Sequence, residues 1–122
     1  MKIRILDNAL RFRLTRSEVN TLCTKGYIEG QTIFDTAVFT YAVKLVKDSK
    51  QLTAQFKNNT ITLNLPRSLG NNWHRTEQVG FSETMEFGDN RNLSLLLEKD
   101  FACLDERLED QSDNYPNPKA LL

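Results

Sequence analysis

Apolar and polar side chains alternate from the second residue of the chain. Ile3 and Ile5, then Leu10, Phe12 and Leu14, fall on one parity, while Lys2, Arg4, Arg11 and Arg13 fall on the other. Period-two alternation is the mark of half-buried strands, so strands are predicted over 2–6 and 9–14. Asp7-Asn8 between them suits the positive φ of a two-residue hairpin turn. That loop length sets the register: Ile5 opposite Leu10, Ile3 opposite Phe12, Arg4 opposite Arg11 and Lys2 opposite Arg13. The expected hairpin buries Ile3, Ile5, Leu10, Phe12 and Leu14 and presents a cationic face. Thr15-Arg16-Ser17-Glu18 then has the form of a capping box, with Leu14 and Val19 placed as a hydrophobic staple. Val19, Leu22 and Cys23 share one face of the short helix this predicts, and Gly26 is placed to end it.

The next stretch reads as a meander of strands. Residues 28–34 turn at Asp35-Thr36 into a long strand over 37–47, whose Phe39, Tyr41, Val43 and Leu45 share a face, with Gly30 opposite Tyr41. A loop over 48–51 is expected to return the chain alongside, placing Leu45 opposite Ala54 and Val43 opposite Phe56. The Asn58-Asn59 turn then puts Phe56 opposite Ile61, Ala54 opposite Leu63 and Leu52 opposite Leu65. Thr53, Gln55, Lys57, Thr60, Thr62 and Asn64 remain on a wet outer face. Pro66 suits a helix start, and the i, i+4 spacing of Leu69 and Trp73 predicts a short helix over 66–75, weakened by Gly70 and Asn71-Asn72. Trp73 is expected as a lid on the core. A last hairpin, 79–87 and 93–103, places Val79, Phe81, Met85 and Phe87 on a face with Leu93, Leu95, Leu97 and Phe101. Glu83 and Lys99 share that apolar face by parity, where they must pair or be turned out by a bulge. No internal repeat and no glycine-rich phosphate loop stands out.

Strands joined by tight turns, with two short helices, imply an α+β fold: a mostly antiparallel sheet of about seven to eight strands, strongly curved or partly closed. One domain over 1–118 is expected, with 119–122 a frayed tail.

Charge changes the picture through its distribution. Lys plus Arg and Asp plus Glu are each 16, so net charge gives no drive toward nucleic acid or membrane. The cations gather in the opening hairpin, however, while Glu98, Asp100, Asp105, Glu106, Glu109, Asp110 and Asp113 gather near the end. Like charges facing each other across a strand pair are unfavourable. Lys2, Arg4, Arg11 and Arg13 therefore need negative charge, either from the chain's own acidic end or from an external anion, and they form the first candidate site. Glu98, Asp100 and Trp73 form a second candidate region.

Other chemistry is sparse. The two cysteines, Cys23 and Cys103, lack metal-ligand spacing and are expected as free thiols, and His74 is the single histidine. Glu106, Glu109, Asp110 and Asp113 share one helical face but lack the ligand pattern of a calcium loop. No catalytic residue, metal site or cofactor is predicted. No run approaches the ~20 apolar residues of a membrane span, and the alternating N-terminus is unlike a signal peptide, so the expected location is the cytoplasm.

The opening MKIRILDNALRFRLTRSEV, the stretch Glu98-Lys99-Asp100-Phe101-Ala102-Cys103-Leu104 and the terminal Tyr115-Pro116-Asn117-Pro118 together resemble a family of short bacterial proteins that constitutes a domain of unknown function. With markers at both ends, the resemblance spans nearly the whole chain and implies a single bacterial domain without bringing site residues. The functional expectation is a non-enzymatic binding or protein-interaction module with a basic hairpin face. Its alternative is a barrel that binds or hydrolyses a small anion such as phosphate or a nucleotide, with charged faces turned inward.

Overall fold

The computed structural model describes residues 1–101, so Cys103, the acidic segment 105–113, the Tyr-Pro-Asn-Pro segment and the 119–122 tail lie outside the described residues. The opening hairpin forms as read: β1 (Lys2–Leu6) and β2 (Ala9–Leu14) pair with Ile3 opposite Phe12, Ile5 opposite Leu10 and Arg4 opposite Arg11. Asp7 takes the positive φ of the turn, at 49°. Phe12 and Leu14 are fully buried and Ile3 and Leu10 half-buried, but Ile5 is exposed, because it sits at the turn end where no described residue covers it.

Helix α1 (Arg16–Lys25) follows, with the predicted capping box complete: the Glu18 amide donates to the Thr15 hydroxyl at 3.3 Å and the Thr15 amide to the Glu18 carboxylate at 2.9 Å. Gly26, at φ 81°, closes it and donates its amide to Leu22 at 2.8 Å. Val19 and Leu22 are the face it buries.

Strands β3 (Tyr27–Ile33) and β4 (Val38–Val46) form the next hairpin, with Gly30 opposite Tyr41. The Tyr41 ring lies where a Cβ on Gly30 would stand, 2.5 Å from that position, so the glycine makes room for an aromatic cover. Strands β5 (Thr53–Lys57) and β6 (Thr60–Pro66) pair as predicted, Phe56 with Ile61 and Ala54 with Leu63.

The expected antiparallel return of Ala54 and Phe56 against β4 is not what forms. β6, not β5, lies beside β4, and it runs parallel to it, Val43 beside Leu63 and Leu45 beside Leu65. The reason is burial: β6 brings Ile61, Leu63, Leu65 and Pro66 to the interior, whereas β5 carries exposed Gln55, Phe56 and Lys57 and suits an edge.

The predicted helix over 66–75 is broken at Asn71-Asn72 into α2 (Arg67–Gly70) and a 3-10 turn (Trp73–Arg75). β7 (Gly80–Glu86) and β8 (Asn92–Lys99) complete the described chain, with Phe81 opposite Leu97 and Glu83 opposite Leu95. Glu83 and Lys99 form no ion pair. The Lys99 ammonium donates to the Thr76 carbonyl at 2.6 Å and sits 5.8 Å from the Trp73 ring, while the Glu83 carboxylate accepts from the Thr84 amide.

The eight strands make two four-stranded sheets, ordered β1-β2-β8-β7 and β3-β4-β6-β5, where a single curved sheet was expected. Each sheet has two antiparallel hairpins joined by a central parallel pair, β2 with β8 and β4 with β6. No closed barrel forms among the described residues. The inner faces share one core containing Phe12, Val43, Leu63, Leu65, Trp73 and Leu97.

The order exposes an internal two-fold repeat. Strand by strand, β1, β2, α1, β3 and β4 correspond to β5, β6, the helical connector, β7 and β8, and each half contributes one hairpin to each sheet. The correspondence extends to single hydrogen bonds. The Ser94 amide donates to Asn8 as the Thr40 amide does to Asn59, and the Lys99 amide to Val79 as the Leu45 amide does to Gly26. The parallel central strands put both turns of each sheet at one end, and the turn-end residues Ile5 and Phe87 of one sheet and Phe39 and Phe56 of the other line one depression, so all four turns share an end of the sandwich. α1 and the 3-10 turn pack together at the other.

Candidate functional site

The register of β1, β2 and β8 arranges the outer face of the first sheet in rows. Lys2, Arg13 and Glu98 lie in one row, Arg4, Arg11 and Leu96 in the next. Two-residue turns and parallel pairing thus bring residues from the two ends of the described chain side by side. Glu98 serves both rows. The Arg11 guanidinium approaches its carboxylate to 2.5 Å and Arg13 to 3.3 Å. With Glu98 only 14% exposed and both arginines about one-third exposed, this is a partly desolvated, charge-assisted cluster. At the end of β8 the Asp100 amide donates to the Leu14 carbonyl, which fixes Asp100 beside β2, and its carboxylate meets the Lys2 ammonium at 3.0 Å.

The expected partnership between the basic opening and the acidic end is therefore made, by Glu98 and Asp100. Arg4 has no ion pair among the described residues. With Lys2, Ile3, Arg11 and Arg13 it lines a shallow depression of about 200 Å³. The structure brings Lys2, Arg4, Arg11, Arg13, Glu98 and Asp100 together on one surface but separates Trp73 from them. Trp73 is 1% exposed, its indole N–H donates to the Gln78 carbonyl at 2.8 Å, and its ring meets Phe81 edge-on at 5.0 Å. It is the lid of the core.

Two further features lie at the ends of the sandwich. Beside α1 a cavity of about 560 Å³ is lined by Arg16, His74, Glu77, Lys99 and Asp100, and the buried Nδ1 of His74 has no hydrogen-bond partner among the described residues. On α1 itself the Glu18 carboxylate meets the N-terminal ammonium at 2.5 Å. Burial pushes the Glu18 carboxyl up, but hydrogen bonds from that ammonium and from Thr15 outweigh it and hold the group below its ordinary range. At the turn end an apolar depression of about 520 Å³ is lined by Ile5, Leu10, Phe39, Phe56, Phe87 and Leu93.

Sequence reasoning missed both end features. The signal for the second was the apolar residue, Ile5, Phe56 or Phe87, one or two positions ahead of three of the turns. Cys23 is a free thiol whose Sγ lies 3.2 Å from the Gly70 carbonyl, and no cluster of metal-ligating side chains occurs among the described residues. No helix there is long and apolar enough to cross a membrane.

Fold and surface define a duplicated α+β domain of two four-stranded sheets with a charge cluster on one outer face. The chain belongs to a family of unknown function, DUF7009, whose model matches residues 1–119. No curated protein and no solved structure matches it.

Proposed function

We propose that the chain is a non-enzymatic interaction module whose outer β1–β2 face receives an acidic segment of a partner protein. The observation that carries this is the charge balance of the face among the described residues: Lys2, Arg11 and Arg13 meet two carboxylates, Glu98 and Asp100, and Arg4 meets none. Arg4 is the cation left over, exposed and beside a depression its neighbours line. Arginine forks bind carboxylates in two-point fashion, and an unpaired one flanked by like charge gains most from an incoming anion. A barrel that processes small anions within a charged lumen has less support. The cations point outward, and the space between the sheets is filled by side chains such as Phe12, Leu63 and Leu97.

Calorimetric titration with poly-L-glutamate at low ionic strength tests the proposal. Binding that Arg4→Gln weakens severalfold and that added salt weakens is expected. Glu98→Gln, which frees Arg11 and Arg13, should tighten it. Absence of binding, binding indifferent to Arg4, or binding of inorganic phosphate but not of polyglutamate would each overturn it.

A further inference from the structure

The edges of the two sheets are finished differently. β1 and β7 border one sheet, β3 and β5 the other. In an antiparallel pair closed by a two-residue turn, alternate residues of each strand point their amide and carbonyl away from the partner strand. On β5 the register makes Ala54 such a residue, and its amide donates to the Met85 Sδ at 3.2 Å. On β7 the Thr84 amide is taken by the Glu83 carboxylate at 3.1 Å. Both edges are thus blunted by the chain's own side chains. On β1 the outward residues are Ile3 and Ile5, and nothing among the described residues bonds to their amides or carbonyls. The internal repeat equates Ile3 with Ala54, so one position is stoppered in the second half and open in the first. β3 keeps an open edge too, but carries no cation.

We infer that the acidic partner segment binds as a fifth strand of this sheet, laid along β1, with a carboxylate at every second residue and apolar residues between. The inference rests on the reading of the basic face given above and adds the conformation and the residue pattern of what it receives. Register is the first argument. A strand added to β1 continues the existing rows, so one alternate set of its side chains falls on the outer face beside Lys2 and Arg4 and the other falls beside Ile3 and Ile5. Carboxylates in the first set meet the Lys2 side chain, 72% exposed, and the Arg4 guanidinium, which has no ion pair among the described residues. Apolar side chains in the second set cover Ile5, which is 55% exposed. Shape is the second argument. The depression of about 200 Å³ is lined by Ile3 as well as by the cations, although Ile3 has the parity of the inner face, so the depression follows the β1 backbone. Charge selects the occupant. A second copy of β1 would set Lys2 and Arg4 beside like charge, which is unfavourable across a strand pair, whereas an acidic strand is attracted.

Calorimetric titration of the full chain at low ionic strength is the test, with a synthetic peptide that alternates glutamate and valine. Its controls are an isomer with the glutamates and valines in separate blocks, and two N-methylated forms, one at every valine amide and one at every glutamate amide. Each methylation removes the donors along one edge of the peptide strand and leaves every side chain in place. The alternating peptide is expected to bind about tenfold or more tightly than the block isomer, with one methylated form losing that binding and the other keeping it. Ile5→Pro removes an outward amide that β2 does not use, and should abolish binding with an unchanged circular dichroism spectrum. If that variant does not fold, the methylated pair decides. Equal binding of the block isomer, the same response to both methylations, or binding of polyglutamate but not of the alternating peptide overturns the added strand and leaves the acidic-partner reading standing. Failure of every probe, polyglutamate included, overturns both. Binding that appears only when Glu106, Glu109, Asp110 and Asp113 are changed to their amides also overturns the inference, and assigns the β1 edge to the chain's own acidic segment.

Discussion

Removing the Glu98 carboxylate should lower stability and raise anion affinity together, because the same group ties the outer face of β8 to that of β2 and neutralises two arginines. In Glu98→Gln the shape is kept, and the lost quantity is the charge between Arg11 at 2.5 Å and Arg13 at 3.3 Å. A hydrogen bond to a charged group contributes about 1.5–3 kcal/mol, and an exposed ion pair about 0–1. Glu98 at 14% exposure with arginines near 30% falls between these limits. Screening by solvent trims the upper figure, so a loss of about 1–2 kcal/mol is expected at low salt. For a domain of this size that corresponds to roughly 3–8 °C in melting temperature. The assay is thermal unfolding by circular dichroism at low salt and again near 0.5 M salt, where the Debye length is only about 4 Å. The difference between wild type and variant should shrink in high salt without vanishing, since the cluster is partly desolvated. An unchanged melting temperature at low salt, or a loss of the same size in both salts, would refute the electrostatic account.

Other outcomes follow from single contacts. Phe12→Ala, at a fully buried position, should cost about 3–5 kcal/mol in urea unfolding. Gly80→Ala should destabilise by more than a surface change normally does, because the new Cβ would meet the Leu97 carbonyl oxygen and the Glu98 Cα within 3 Å; amide exchange should quicken along β7 and β8. Thr15→Ala should cost about 1 kcal/mol through loss of the helix cap, read by the same unfolding curve. For Glu18, whose carboxyl is held below its ordinary value of 4.5, the stabilisation is complete above that value and is lost as pH falls through the lower folded one. The stability gap between wild type and Glu18→Gln should therefore be constant at neutral pH and close below pH 4.5.

Local features were legible in the sequence because turns and alternation act over a few residues. The Asp7-Asn8 and Asn58-Asn59 turns and the parity of Ile3, Phe12, Ala54 and Leu63 suffice for both registers, and Gly30 opposite Tyr41 follows from the same arithmetic. Neighbour relations between hairpins were not legible. Alternation says which face of β4 is apolar, but either β5 or β6 can satisfy it, and the choice turns on which strand tolerates an edge. The internal repeat was hidden because equivalent positions carry different apolar residues, Phe12 for Leu63 and Ile5 for Phe56. One trace was in view, Leu14-Thr15-Arg16-Ser17 against Leu65-Pro66-Arg67-Ser68, at the same place in each half. Of the candidate site, the four cations and their neutralisation by Glu98 and Asp100 could be anticipated from charge segregation, whereas the lone position of Arg4 depends on how far Glu98 reaches across the parallel pair.

The parallel pairing of β2 with β8 also constrains the order of events during synthesis. Phe12 and Leu14 leave the ribosome early, yet their sheet neighbours Leu97 and Lys99 are made only when most of the described chain has emerged. The first half has no complete sheet of its own, since β2 and β4 each wait for a central strand from the second half. A nascent chain must therefore hold two apolar hairpins unpaired along one edge, a state open to mispairing with other chains. With so many contacts between residues far apart in sequence, refolding should be slow for the protein's size, in the range of milliseconds to seconds.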